Sequence, residues 1–284
     1  MKTIHEFDNL LRNAIEEKKV PDEKLFNDLR VLSIKKNSSK FSHILDIINL
    51  INKNGDKNIK ILDYGCGGGV TIALLYLAGY KNIYGADLHD LDPTKKEKQK
   101  KISNILFLKK KIFKNIINSK TEFLDKSFNI IISNQVVEHV NDLDKYILEL
   151  KRILTEDGTA ILIFPHRLKP FETHTKTFII HYFPKFIQGY FYDLLTNEKK
   201  EYYFNLLNLK YPNYYYRILK NYFSVIDNIS LDIKFNSHNI NNKNSKSDKL
   251  FKIINICVNF MPIPKLYKNK IKMIFLDMII ICKN

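Results

Sequence analysis

The chain has 284 residues, 45% of them hydrophobic, so it is long enough to bury one large core, with or without an appendage. Its formal net charge of +16 would suit a phosphate-rich partner, but the joint abundance of Lys, Asn and Ile indicates an AT-rich genome. We therefore interpret the basic runs at 95–101 and 109–111 as solvated faces, and we do not expect nucleic acid as a partner.

Neither the cysteines nor the N-terminus indicates export. Cys66, Cys257 and Cys282 show no disulfide or metal-type spacing, which suits a reducing compartment. The first residues include acidic side chains where a signal peptide has an apolar core, and no apolar run approaches the roughly 20 residues of a membrane span. We expect a cytoplasmic protein without a transmembrane segment.

Taken in chain order, residues 1–58 carry apolar side chains at helical spacing and predict a helical lead-in. From residue 59 onward, short apolar runs alternate with helical patterns, including an amphipathic helix that Asp142 is suited to cap. Buried Ile, Val and Leu runs separated by helices are typical of a parallel sheet covered on both faces. Such runs occur at 59–64, 82–87, 102–108, 128–134, 158–165, 223–233 and 277–284. The sequence thus predicts an α/β fold, with a Rossmann-like, mostly parallel seven-stranded sheet and helices on both faces.

The alternation stops after Pro165. Residues 166–216 hold no long periodic element but are dense in Phe and Tyr, which predicts an aromatic insertion after the fifth strand that forms a substrate cap. These aromatics are more typical of a cap core or a homodimer surface than of stacking platforms. We expect one α/β domain over residues 59–284 that carries this cap.

A glycine-rich turn, DYGCGGG, follows the first predicted strand. It does not match a dinucleotide fingerprint, because Val70 occupies the third glycine position, and no Lys-Ser/Thr pair follows as in a P-loop. Two acids stand beside it instead: Asp63 ends the first strand, and Asp87 ends the second, at the spacing that reaches a ribose. Glycines let the backbone approach a ligand, and a carboxylate can accept both ribose hydroxyls. The pattern predicts a nucleoside site without a pyrophosphate, with Asp63 near a cationic amine.

The stretch LDYGCGGG, together with Asp87 and the runs SFNIIISNQVVEHV and LKRILTEDGTAILIFP, resembles the class I S-adenosylmethionine-dependent methyltransferases over about residues 60–165. The resemblance implies S-adenosyl-L-methionine as cofactor. It further implies a cofactor site made of Asp63, Tyr64, Gly65, Cys66 and Gly67 on the methionine side, Asp87 and Leu88 at the ribose, and Asn134 and Gln135 beside the transferred methyl. Family members often carry an acid that contacts adenine at 108–111, where this chain has Leu-Lys-Lys-Lys, so the adenine contact is unassigned.

The residues after the fourth predicted strand limit which chemical groups can be the methyl acceptor. Enzymes that methylate exocyclic amines of bases usually carry Asn/Asp-Pro-Pro-aromatic there, whereas this chain has Asn-Gln-Val-Val at 134–137. The three cysteines lie elsewhere, which argues against methylation of a pyrimidine carbon through a cysteine nucleophile. An oxygen acceptor is consistent with both observations.

A second informative segment follows the fifth predicted strand, where open α/β sheets bind their ligands. Its sequence, PHRLKPFETH, resembles a P-x-R-x-x-P-x-E-x-H pattern of methyltransferases encoded with bacterial surface-polysaccharide genes, which implies a sugar-linked acceptor. We expect His166 or His174 to act as general base, with Glu172 orienting a histidine. Arg167 is suited to an anionic group of the substrate, and His181 is expected on the same side. The alternative is a hydrogen-bonded lid without a catalytic part, and a metal held by these side chains is not favoured.

The leading hypothesis is therefore an S-adenosylmethionine-dependent O-methyltransferase in capsule or lipopolysaccharide assembly. Its substrate would be a small or nucleotide-linked sugar, methylated on a sugar oxygen or on a sugar-linked phosphoryl or phosphoramidate group. Two alternatives stay open: an RNA methyltransferase that uses a basic face, and a non-catalytic partner subunit that binds S-adenosylmethionine.

Overall fold

The computed structural model describes residues 38–88, 92–105, 112–172, 177–195, 207–236 and 246–284. Its helices are α1 (Ser38–Ile51), α2 (Val70–Leu77), α3 (Pro93–Ile105), α4 (Leu143–Ile153), α5 (Lys185–Leu195), α6 (Pro212–Leu219), α7 (Ser230–Asn236), α8 (Lys246–Phe260) and α9 (Lys265–Ile274). Its strands are β1 (Ile61–Tyr64), β2 (Ile83–Leu88), β3 (Phe113–Ile117), β4 (Lys120–Thr121), β5 (Phe128–Asn134), β6 (Leu154–Phe164), β7 (Phe171–Glu172), β8 (Thr177–Phe178), β9 (Val225–Asn228) and β10 (Met278–Lys283).

The main sheet has the strand order β4-β3-β2-β1-β5-β6-β10-β9. Strands β3, β2, β1, β5 and β6 run parallel, whereas β10 pairs antiparallel with both β6 and β9. Six of these eight strands overlap predicted ones; the other two are β3, which lies outside the range predicted for the third strand, and the two-residue β4, which pairs with β3 across a tight turn. The predicted Rossmann-like, mostly parallel sheet is confirmed.

Helices cover both faces of the sheet and bury two hydrophobic clusters. One cluster joins α4 and α6 to one face through side chains such as Ile147, Leu150 and Leu219. The other joins α1, α2 and α7 to the opposite face through side chains such as Ile48 and Leu75. Every residue of β1 is buried, as expected for a central parallel strand.

Helix α4 shows how local sequence sets an element. Asp142 caps its first turn, as predicted, because its side chain accepts a hydrogen bond of 3.1 Å from the backbone N–H of Lys145. Its apolar residues recur at helical spacing, so Tyr146, Leu150 and Ile153 all face the sheet. Helix α4 ends at Ile153, and β6 begins at the next residue, Leu154.

Two predicted strands differ from the structure. The third was expected at 102–108, but residues up to Ile105 belong to α3, and the strand lies at Phe113–Ile117. Ile102 and Ile105 are also three apart, so their spacing fits a helix equally well. The sixth stops at Asn228, whose side-chain oxygen accepts from the N–H and hydroxyl of Ser230 at 3.0 and 2.6 Å and so turns the chain into α7.

The lead-in and the cap are described in part. Residues 38–51 form the last helix of the predicted lead-in, and 1–37 lie outside the described residues. The cap contains the β7–β8 hairpin and helix α5, although its sequence shows no long periodic element.

Across the part of the chain that the structure describes, no helix has both the length and the apolar character needed to cross a membrane. The domain boundaries and the cytoplasmic location stay predictions.

Candidate functional site

The predicted site residues gather at the carboxyl ends of the parallel strands. The strand order reverses between β1 and β5, and open α/β sheets bind ligands in the crevice at such a point. The glycine turn follows β1, Asp87 lies near the end of β2, Asn134 ends β5, and His166 lies two residues beyond β6. The fold therefore brings the cofactor and acceptor candidates to one edge.

Glycine is required at position 65 because the turn after β1 lies very close to the residues that follow β5. Its φ is +83°, and a Cβ atom built there would lie 2.3 Å from Cγ2 of Val136, just after β5. Its N–H and that of Cys66 both donate to the carbonyl of Ala86 in β2, at 2.7 and 3.0 Å. A side chain at Gly65 would thus push apart the turn and the end of β5.

The carboxylate of Asp87 stabilises the glycine turn and lies on the side where the ligand is expected. One carboxylate oxygen accepts from the N–H of Gly67, and the other accepts from the N–H of Leu88 at 2.8 Å. Leu88 is exposed, so it contributes backbone here while its side chain faces solvent. A Cβ atom built on Gly67, whose φ is +53°, would find no atom within 4 Å. The turn therefore leaves open space beside a fixed carboxylate.

Asp63 is a buried carboxyl group with an unusual pKa. Burial, and then the charge of Asp87, raise its pKa from 3.8 to about 7, while a hydrogen bond with Thr71 lowers it. A cation placed beside it would reverse that effect, because an opposite charge favours the ionised form. Asp63 is suited to a ligand amine.

Tyr64 and Cys66 contribute to the site differently from the other turn residues. The side chain of Tyr64 packs edge-on against Tyr146, with ring centroids 5.4 Å apart, and its hydroxyl donates to the carbonyl of Ser119. Only its backbone is available at the turn. The Cys66 thiol is buried, and that burial, followed by the charges of Asp63 and Asp87, raises its pKa well above the usual value. It is a neutral packing group.

Helix α3 closes the outer side of the turn, which the sequence analysis missed. The side-chain amide of Gln99 donates to the carbonyl of Gly67 at 2.6 Å and lies 3.7 Å from the sulfur of Cys66. The stem of Lys98 lies against Gly68, and Phe113 lies against Gly69. No local motif marks Gln99, because its role depends on where α3 packs. The Leu-Lys-Lys-Lys segment at 108–111 lies outside the described residues.

On the acceptor side, Asn134 and Gln135 lie at the end of β5. Asn134 pairs with Ile163 in β6, and the N–H of Gln135 donates to the carbonyl of Ile163 at 2.7 Å. Gln135 has a φ of +59°, a left-handed conformation that is uncommon for a residue with a side chain. Both side chains are half-buried. Their predicted position beside the transferred methyl stays a prediction.

His166 is turned inward and is 3% exposed. Its Nδ1 accepts a hydrogen bond of 3.2 Å from the N–H of Leu168. Burial lowers its pKa, and this is partly opposed by hydrogen bonds to the backbone of Met273 and Leu276 and by the charge of Asp277. His166 thus ties the segment after β6 to the connection between α9 and β10. Its catalytic role stays a prediction.

The other residues of this segment form a buried polar group in the cap. Glu172 and His181 are 2% and 1% exposed, and burial lowers the pKa of His181 while Glu172 raises it. The backbone of Lys169 and Arg167 lies near the His181 ring, but neither ring nitrogen makes a hydrogen bond of normal geometry with a described group. His174 lies outside the described residues. The roles of Arg167, Glu172, His174 and His181 stay predictions.

The turn fits an adenosine that carries an amino acid. The space beside Gly67, the fixed carboxylate of Asp87 and the buried Asp63 match a ribose and an amine, the groups that S-adenosylmethionine presents. Among the described residues, no group of three or more His, Cys, Asp or Glu side chains is arranged to hold a metal. The metal set considered from sequence includes His174, so its absence stays a prediction.

Comparisons with known proteins identify the fold family. The family model described as "Methyltransferase domain" matches residues 37–200, more than half of the chain. The ubiquinone biosynthesis O-methyltransferase of Pelagibacter ubique is 31% identical over 140 residues, which cover 48% of this chain and 52% of that protein. The protein of the same name from Rickettsia prowazekii is 28% identical over 163 residues, covering 53% and 62%. The chain thus spans about half of the length of one curated relative and about three fifths of the other.

A solved structure, the YcgJ protein of Bacillus subtilis, is also similar. It is 16% identical, with a TM-score of 0.47, and the match covers 83% of this chain and 96% of that one. A likeness of this size carries no argument about function.

The expected role in capsule or lipopolysaccharide assembly is wrong. The curated relatives are named for ubiquinone biosynthesis, not for sugar methylation. The residues that suggested a sugar acceptor have a packing explanation, since His166 and Glu172 are both buried. Short motif likenesses of this kind do not distinguish a polar packing cluster from a substrate site.

The expected methyltransferase and its expected cofactor are both confirmed. The glycine turn and the acid at the end of β2 lie within residues 37–200, the part of the chain that the family model matches. The chain belongs to the methyltransferase-domain family, in its class I, S-adenosylmethionine-dependent form.

Proposed function

We propose that the protein is an O-methyltransferase whose acceptor is a ring hydroxyl of an intermediate in quinone biosynthesis. The observation that carries this proposal is the naming of the curated relatives as ubiquinone biosynthesis O-methyltransferases. Ubiquinone bears methoxy groups on an aromatic-derived ring and an isoprenoid tail. An acceptor of this class is therefore planar at one end and strongly apolar at the other.

The cap supports an acceptor with an apolar tail. Between residues 178 and 191, large apolar side chains are exposed on β8, the following 3₁₀ turn and α5, namely Phe178, Ile179, Tyr182, Phe183, Phe186, Tyr190 and Phe191. Exposed apolar groups in such number commonly mark a binding surface. Because this segment continues from the end of β6, it lies on the acceptor side of the cofactor turn.

The chain's own residues would position the two reactants. When bound, the cofactor supplies a methyl group on a sulfonium sulfur, and much of the rate of such a displacement comes from alignment. Asp63 and Asp87 would hold the amine and the ribose, while the turn at Gln135 shapes the wall next to the acceptor. The hydroxyl proton would pass to a general base, and the two described histidines of the cap segment, His166 and His181, are buried at 3% and 1% exposure.

The test is a transfer assay with methyl-labelled S-adenosylmethionine and the full chain. A catechol that carries a short isoprenoid tail serves as acceptor, and a nucleotide sugar serves as the comparison. We expect label in the catechol product, identified by its mass as a methyl ether. The D87A variant provides the control, since loss of the ribose carboxylate should abolish labelling.

A chain that binds S-adenosylhomocysteine but labels no catechol would contradict the proposal. Equal labelling of the nucleotide sugar would also contradict it, because the acceptor would then not be selected for an aromatic ring.

A further inference from the structure

The segment 207–211 crosses the acceptor edge of the sheet. The backbone N–H of Asn208 donates to the carbonyl of Glu138 at 2.6 Å, and its side-chain amide donates to the carbonyl of Val140 at 3.1 Å. Two residues further on, the N–H of Arg167 donates to the carbonyl of Lys210 at 2.9 Å. The segment thus links the turn after β5 to the turn after β6, at the edge of the sheet where methyl transfer is predicted.

An aromatic side chain and a guanidinium stand together on this segment. Tyr211 is 55% exposed, and the central carbon of the Arg167 guanidinium lies 5.7 Å from the centre of its ring. This distance is within the range of a cation–π contact. Arg167 is half-buried, so its planar group is held beside the ring while the ring keeps a free face.

A second tyrosine borders the same place. Tyr182 is 43% exposed, its hydroxyl donates to the carbonyl of Leu168, and its ring packs against His181 with centroids 4.5 Å apart. The pKa of Tyr182 is raised, mainly by burial and then by the neighbouring phenol of Tyr211. The hydroxyl of Tyr182 thus binds the residue that follows Arg167, whose guanidinium lies beside the ring of Tyr211.

The backbone beneath Tyr211 is fixed in advance. Pro212 occupies the first turn of α6, with Tyr211 in an extended conformation before it. The hydroxyl of Tyr215, which is buried, accepts from the N–H of Lys210 at 3.0 Å. A ligand that stacks on Tyr211 would consequently lose little free energy to ordering of the protein.

We propose that Tyr211, Tyr182 and Arg167 form the binding site for the aromatic ring of the methyl acceptor. The inference rests on the proposed function for its choice of an aromatic acceptor. Flat aromatic rings stack favourably on tyrosine, and the guanidinium can donate to a ring hydroxyl or a phenolate without being able to accept a proton. A saturated sugar offers no such face. The site therefore selects a planar phenolic ring. Tyrosine stacks on the face of this ring, and the guanidinium donates to the hydroxyl at its edge.

The test measures binding of catechol to the chain saturated with S-adenosylhomocysteine, by calorimetry. cis-Cyclohexane-1,2-diol, which has the same two hydroxyls on a saturated ring, is the matched ligand. We expect catechol to bind the native chain and the diol to bind far more weakly. In Tyr211→Leu the dissociation constant for catechol should rise about tenfold, a change expected for loss of one stacking partner.

Tyr267→Leu is the matched control variant. Tyr267 is 56% exposed and has the amine of Lys270 at 5.7 Å from its ring centre, so it reproduces the local setting of Tyr211 on α9. Catechol should bind this variant as it binds the native chain. Arg167→Met should weaken catechol binding as well, and all three variants should keep native affinity for S-adenosylhomocysteine.

Three results would overturn the inference: no catechol binding to the native chain, equal binding of catechol and the diol, or native affinity in Tyr211→Leu. Its failure can be told from that of the proposed function. If native chain methylates a prenylated catechol but Tyr211→Leu binds catechol normally, the function stands and the site is wrong. If Tyr211→Leu loses catechol binding while no catechol is ever methylated, the site stands and the function is wrong.

Discussion

Two carboxylates, Asp63 and Asp87, set the electrostatics at the scale of single residues. They lie on neighbouring strands, one buried and one at the surface of the turn, and the charge of Asp87 disfavours ionisation of Asp63. A buried carboxyl group whose pKa is raised to about 7 in this way is suited to a ligand that brings a positive charge.

The affinity for S-adenosylhomocysteine should therefore depend on pH through Asp63. Its pKa in the free protein is about 7, and a bound amine requires the ionised form, so affinity should fall by up to about tenfold per pH unit below 7. Calorimetry at pH 5.5, 6.5 and 7.5 measures the slope. The D63N variant, which is neutral at every pH, should bind more weakly at pH 7.5 and show no such slope. An unchanged slope in D63N would assign the effect to another group.

The raised pKa of Asp63 makes the stability of the fold change with pH in the opposite direction from the affinity for the ligand. Between about pH 4 and 7 the folded carboxyl group keeps a proton that the unfolded one loses, so this group makes the free energy of unfolding fall as pH rises. The fold thus loses stability near neutral pH at the carboxyl group that is predicted to bind the ligand amine.

Gly65 provides a second prediction at this scale. In G65A the new Cβ would lie 2.3 Å from Val136, so the variant should be less stable than G55A, whose φ of +65° is also left-handed but where a Cβ meets nothing within 4 Å. The left-handed conformation alone costs about 1–2 kcal/mol, and overpacking adds about 1–3 kcal/mol. Urea denaturation of both variants measures the difference.

The cause of that difference can be isolated with Val136→Ala. In this background, G65A should lose less stability, because the contact that it creates has been removed. Equal losses in both backgrounds would mean that the clash is relieved by movement of the turn.

At the scale of elements, α3 acts on the glycine turn from outside. Gly67 is held from two sides, with its N–H bound to Asp87 and its carbonyl bound to Gln99. Both partners belong to the unit of β2 and α3, which follows the turn in sequence. The helix thereby stabilises the left-handed conformation of Gly67 next to the ribose carboxylate.

Replacing Gln99 by Met should weaken cofactor binding while leaving the fold intact. The variant keeps the volume but loses the hydrogen bond, which contributes about 0.5–1.5 kcal/mol, so the dissociation constant for S-adenosylhomocysteine should rise about three- to tenfold. The control is K100A on the exposed side of α3. Calorimetry gives the affinity and thermal unfolding gives the stability. A lower melting temperature with native affinity would show that Gln99 only stabilises the packing of α3.

At the scale of the whole molecule, the start of the cap is tied to the end of α9 and its connection to β10. The Nζ of Lys169 lies 2.5 Å from Oδ1 of Asp277, with the two side chains 12% and 27% exposed, and His166 contacts the backbone of Met273 and Leu276 nearby. Two segments more than 100 residues apart in sequence thus meet at the acceptor edge. The cap is expected to move with α9 and the start of β10.

Breaking this pair should loosen the cap base. In D277N, amide hydrogen exchange of residues 166–172 should become faster, because a partly buried ion pair loses one charge and leaves the other without compensation. E156Q is the matched control, since the pair of Lys126 and Glu156 has the same 2.5 Å separation but is 62% and 76% exposed and should contribute little. Equal exchange of the cap base in D277N and the native chain would show that the cap is held by other contacts.

The sequence alone predicted the features that depend on neighbouring residues. The strands around the glycine turn, the Asp142 cap and the acids near the ends of β1 and β2 all have local signals, because hydrophobic period and glycine content act over a few residues. The misplaced third strand shows the limit of such signals, since its apolar spacing suited a helix as well.

The tertiary structure decided which residues face each other. Val136 against Gly65, Gln99 on the carbonyl of Gly67, and Arg167 over Tyr211 join segments that are far apart in sequence, and no local pattern marks any of them. It also turned His166 inward, where the segment's polar composition had suggested a base. The sequence by itself therefore determined the family and the cofactor, whereas the packing of distant segments decided which side chains meet around the predicted site, because contacts of that kind exist only once the sheet and the cap have assembled.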